Sequence, residues 1–133
     1  MALSLHMNAT ATWNSVAFSE VVGVDVEKGG EWVRHSAGVD TFTTFQAFVK
    51  QTRTVKVRTD SALTTLSRVP GAAAQTLSCV LKGAGGTSDC TISGSFMVGP
   101  VSGGANHASV DHGQEVEFSA VSSDGTTDPL GVA

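Results

Sequence analysis

The stretch EVVGVDVEKGGEWVR, Glu20 to Arg34, decides the reading of this chain. Val22, Val24 and Val26 alternate with Asp25 and Glu27, the period of a half-buried strand. Lys28-Gly29-Gly30 predicts a turn and Trp32-Val33-Arg34 a returning strand, so the segment reads as a β-hairpin. Working outward, His35 to Asp40 reads as a loop, followed by Phe42, Phe45 and Phe48, whose rings are expected in a core or an interface. From Lys50 to Thr59 a long strand is predicted, with Lys50, Thr52, Thr54, Lys56 and Arg58 on one face and Val55 and Val57 on the other. Asp60-Ser61 before Ala62, Leu63 and Leu66 predicts one short helix, stopped by Pro70-Gly71.

The second half repeats the pattern of strands and glycine punctuation. Leu77–Leu81 and Cys90–Val98 flank Gly83-Ala84-Gly85-Gly86, and a turn symmetric about Ala84-Gly85 would set Cys79 directly opposite Cys90. Gly99-Pro100 and Gly103-Gly104 predict a second loop. The next strand, within His107–Val121, carries Asp111, Glu115 and Glu117 on an acidic face. The polar cluster Ser123–Pro129 and the short apolar tail Leu130–Ala133 close the chain. The expectation is a single domain over residues 1–133, mainly β, with a short N-terminal arm and a C-terminal tail. Two packed antiparallel sheets would form a barrel or sandwich with one short flanking α-helix.

Composition narrows the function classes. The chain has 133 residues, 41% apolar and 15% charged, fifteen glycines and no tyrosine, which suits short strands and tight turns in one domain. Its net charge of −4 argues against general nucleic-acid binding, because phosphate contacts need clustered Lys and Arg. Charge is also uneven: seven basic and six acidic residues lie before position 71, and Lys82 stands against six carboxylates after it. No run approaches the ~18 apolar residues of a membrane helix, so no membrane insertion is expected. Met1–Thr12 lacks a secretion signal's basic and apolar regions, which predicts a cytoplasmic origin with Cys79 and Cys90 reduced.

Catalytic chemistry has no carrier. The glycines at 83–86 lack the Lys and Ser/Thr of a phosphate loop, and no Gly-x-Ser-x-Gly elbow or His-Glu-x-x-His motif occurs. His107, Asp111 and His112 point both ways along a strand and read as surface residues, Glu115 and Glu117 as a solvated face, and Asp124 and Asp128 as turn formers. Neither an enzyme nor a cofactor or metal site is expected.

The ordered set of the Val22–Val33 hairpin, the Ser36-Ala37-Gly38-Val39-Asp40 loop, the strand Lys50–Val57, the helix between Asp60 and Pro70, and Glu115–Ala120 with Ser123–Pro129 resembles the tail tube proteins of long-tailed bacteriophages. Contractile injection machines and type VI secretion use similar tubes. The resemblance implies hexameric rings that stack, with other tail proteins as neighbours, into a virion tail channel through which DNA passes without specific binding. It makes Asp111, Glu115 and Glu117 candidates for a lumen lining or an inter-subunit acidic face. Lys50, Lys56 and Arg58 become a candidate inter-subunit basic face, and Val39, Asp40 and Phe42 a candidate interface loop. The alternative is a non-catalytic β-sandwich for capsid decoration or carbohydrate binding, for which Trp13 and Trp32 alone supply few stacking rings.

Overall fold

The computed structural model describes residues 9–19, 21–60, 66–82, 88–104 and 114–133. The predicted glycine turn at 83–86, most of the predicted helix, and His107, Asp111 and His112 lie outside the described residues.

Among the described residues eight strands follow in chain order: β1 Ala9–Trp13, β2 Val16–Ala17, β3 Val21–His35, β4 Phe45–Thr59, β5 Gln75–Lys82, β6 Ser88–Ser102, β7 Gln114–Ala120 and β8 Leu130–Val132. All pairings are antiparallel, in the order β2-β1-β5-β6-β7-β4-β3, with β8 also on β6. The mainly β class therefore holds, but the two packed sheets do not: the strands make one continuous sheet, and it is not closed. The flanking helix is not seen among the described residues, where Val69-Pro70-Gly71-Ala72 forms a tight turn, with Gly71 at φ +80° and Ala72 N–H donating to Val69 C=O.

One sheet serves as a core because it curls over its apolar face. β1 and β7 are separated by β5 and β6, so in a flat sheet they would stand ~14 Å apart at the usual strand spacing. The Trp13 and Phe118 rings nevertheless meet at 6.0 Å, and Phe18 packs edge-on to Phe118 at 5.9 Å. Val55, Val57, Leu77, Ile92, Phe96, Val98 and Val116 complete this buried face. Arg68 lies over the Phe18 ring at 4.5 Å, and burial lowers its pKa.

Two glycine signals turn out differently from their sequence reading, and so does the register of the β5–β6 pair. β3 runs through Gly29-Gly30 without turning, and the ladder slips there instead, one residue of β3 against Lys50 and Gln51 of β4. This is a β-bulge, with Lys50 at φ +52°. Gly30 is required because a Cβ there would fall 2.1 Å from the Phe48 ring. β6 likewise passes through Gly99-Pro100 with a slip, and Pro100 is tolerated because a bulge releases its ladder bond. In the β5–β6 hairpin, a slip between Leu81 and Lys82 sets Cys79 opposite Ile92 and Cys90 opposite Leu81. The displacement from the expected pairing is two residues, which leaves every side chain on its intended face. Cys79 is a buried free thiol, its pKa pushed up to about 12 by burial.

The terminal segments also join the sheet. Ala9–Trp13, expected within an arm, pairs with β5, and the C-terminal tail pairs with β6 as β8. β7 and β8 follow the same edge of β6: Ala120 lies opposite Phe96 and Leu130 opposite Gly94. The intervening residues 121–129 leave and rejoin one strand line as a compact loop, the geometry of an Ω-loop.

Candidate functional site

The strands β3 and β4 are each 15 residues long, but β7 pairs with β4 only from Thr54 to Thr59. Beyond the bulge, Glu31–His35 and Phe45–Val49 project as a two-stranded arm. A lone hairpin is marginal in water, and side chains support this one. Trp32 packs edge-on to Phe48 at 4.9 Å, with Arg34 over the Trp32 ring at 5.4 Å. At the tip, Thr44 N–H donates to His35 C=O and Asp40 N–H to Ala37 C=O, while Ala37 N–H donates back to the Asp40 carboxylate at 3.0 Å.

Among the exposed Glu31, Arg34, His35 and Gln46, the arm also presents large apolar side chains to solvent. Val39 is 95% exposed and Phe42 81%, both at the tip, and Phe45 on the shaft is 58% exposed. Val33 and Trp32 are half-exposed. Because Val33, Ala47, Phe45 and Val49 occupy cross-strand neighbouring positions of one face, they form a stripe instead of scattered single residues. The candidate interface loop Val39, Asp40 and Phe42 is thus the tip of a longer apolar element, which includes Phe45, expected in a core or an interface, and Trp32 and Val33, which the sequence marks only as strand residues.

The candidate charged faces are brought together inside one chain. Lys56 stands opposite Glu117 on β7 and Asp25 on β3, and Arg58 opposite Glu115. The Arg58 guanidinium reaches diagonally to Asp25 at 3.2 Å. Two cations therefore lie among Asp25, Glu27, Glu115 and Glu117 on the outer face of β3-β4-β7. Lys50 does not belong to that face. The extra bulge residue reverses the alternation of β4, and Lys50 sits at the base of the arm, 3.7 Å from Glu31. Asp111 lies outside the described residues.

Beside the arm's base runs a cleft of about 670 Å³, walled on one side by Phe48, Val49, Lys50 and Arg53 and on the other by the 121–129 loop. The loop is internally tied: Asp124 accepts from Thr127 N–H (2.8 Å) and hydroxyl (2.7 Å) and from Thr126 N–H (2.9 Å). Those bonds, the Thr127 N–H foremost, hold its carboxyl well below the usual carboxylate range. Asp128 accepts from Leu130 N–H and pairs with Arg53 at 3.3 Å, latching the loop to β4 below the arm; its pKa is lowered, first by the Leu130 bond.

Among the described residues no group of three or more His, Cys, Asp or Glu is placed to hold a metal, and no helix is long and apolar enough to cross a membrane. No family model and no curated protein sequence matches the chain.

Proposed function

We propose that the chain is a structural subunit that assembles with copies of itself, as in the tail tube proteins it resembles, and that the β3–β4 arm is its principal association element. One observation carries this reading: a hairpin braced by Trp32–Phe48 and Arg34 spends its order on holding apolar side chains in water. Exposed aromatic and aliphatic stripes on an ordered protrusion are interaction surfaces. β3 adds a second supporting feature, since it ends the sheet and its outer edge carries no strand among the described residues.

The outer face of β3-β4-β7 fits a channel role as well. Its two cations stand among four carboxylates, so it offers no basic track to hold passing DNA through counterion release. Electron microscopy of the purified protein at high concentration tests the reading. Hexameric rings, alone or stacked, are the expected result; a strictly monomeric species across the concentration range overturns it.

A further inference from the structure

The arm tip and the cleft at the arm's base cannot meet within one molecule. Phe45 at the start of the arm and Lys50 beside the cleft are separated by about 17 Å of extended strand. The tip loop continues away from the cleft beyond Phe45, and the braced shaft between them does not fold back.

We propose that the tip of one copy seats in the cleft of a second copy, with Val39 and Phe42 entering between the arm base and the 121–129 loop. The inference rests on the self-assembly reading and names its contact. The apolar wall of the cleft is Phe48, Val49, Ala120 and Pro129, and its volume is that of a site able to enclose more than one side chain. Charge agrees with this seating. Asp40 is the exposed carboxylate of the tip, and Lys50 at the rim is an exposed cation, 3.7 Å from a Glu31 that is itself largely exposed. Arg53, by contrast, is already engaged by Asp128 and by Gln51. Tip and cleft are different surfaces, so the contact is heterologous, and its repetition generates a closed ring or an open filament instead of a two-fold dimer.

Cysteine cross-linking in a Cys90→Ser background tests this, with Cys79 buried and the remaining thiol placed at will. Val39→Cys and Thr126→Cys are made as separate proteins and treated with a short bis-maleimide. Mixed, they are expected to give a covalent dimer that neither gives alone, and the double variant a ladder of higher oligomers. Assemblies visible by microscopy with cross-links only between Val39→Cys chains, or with none, would overturn tip-in-cleft docking and leave self-assembly standing. Parent protein that forms no assemblies at any concentration, with no cross-link in the mixture, would overturn the self-assembly reading and the docking with it.

Discussion

Phe45→Thr separates association from folding. Phe45 is 58% exposed on the arm shaft. A phenylalanine buries ~200 Å² when fully covered, so about 115 Å² remains for a partner to cover. At ~25 cal/mol per Å² that cover is worth about 3 kcal/mol, of which threonine's methyl recovers a fraction. Loss of ~2 to 3 kcal/mol weakens association roughly 30- to 150-fold. Within the monomer the same substitution removes little, because an exposed side chain away from the core changes stability by only ~0.5 kcal/mol and threonine keeps the β-branched preference of a strand. Sedimentation velocity over a concentration series reads the first quantity, and urea unfolding below the association range reads the second. An unchanged dissociation constant, with assemblies still formed, would refute the assignment of this stripe to an interface. A clear fall in unfolding free energy would show instead that Phe45 belongs to the fold.

Other outcomes follow from the core, the loop and the charged face. Phe118→Ala removes the ring on which Trp13 and Phe18 converge and is expected to cost ~3 to 5 kcal/mol in urea unfolding followed by tryptophan fluorescence. Gly94→Val places a Cβ 2.1 Å from the Pro129 carbonyl, which should push the loop off the sheet and speed hydrogen exchange at Thr91 and Ala133, whose amides bond each other's carbonyls. Asp124 and Asp128 have lowered pKa values in the folded chain, so their contribution is complete above the ordinary carboxylate pKa of ~3.9 and is lost as pH falls below it. Faster exchange at Thr126 and Thr127 at pH 3 than at pH 6, after correction for intrinsic rates, is the expected sign. Glu117→Lys sets like charges directly opposite at Lys56 and should cost ~0.2 to 1 kcal/mol of monomer stability in urea unfolding.

The strands were legible because alternation survives burial: Val55 and Val57 face inward and Lys56 outward, as their spacing requires. Glycine was the misleading signal. A glycine pair supplies either the positive φ of a turn or the empty space of a close approach, and the two look alike in a sequence. Gly30 and Gly99 answer to the second need, one under the Phe48 ring and the other 3.1 Å from the Glu117 carbonyl. Hence the sequence predicts a short hairpin where the structure has a long arm. Its real turn, residues 36–44, is closed by Asp40 and Thr44. The single curled sheet was not legible either, since the Trp13–Phe118 contact that creates it joins residues far apart in sequence.

The charge pattern shows why register matters more than composition for the candidate site. Read along the chain, Lys56 and Arg58 and then Glu115 and Glu117 look like two opposite faces awaiting partners, and pairing between copies is a natural inference. Antiparallel pairing of β4 with β7 places each cation opposite a carboxylate, and β3 adds Asp25 beside Lys56. Cations flanked this closely by carboxylates of two neighbouring strands have little attraction left for another copy, and exposed charges of this kind interact weakly and are screened by salt. Apolar surface behaves differently, since water leaves Val39, Phe42 and Phe45 uncovered until another surface arrives. The burden of association therefore falls on the arm. Assembly driven by it should be retained in high salt, whereas assembly driven by the charged faces should dissolve, and a salt titration of the assemblies decides between the two.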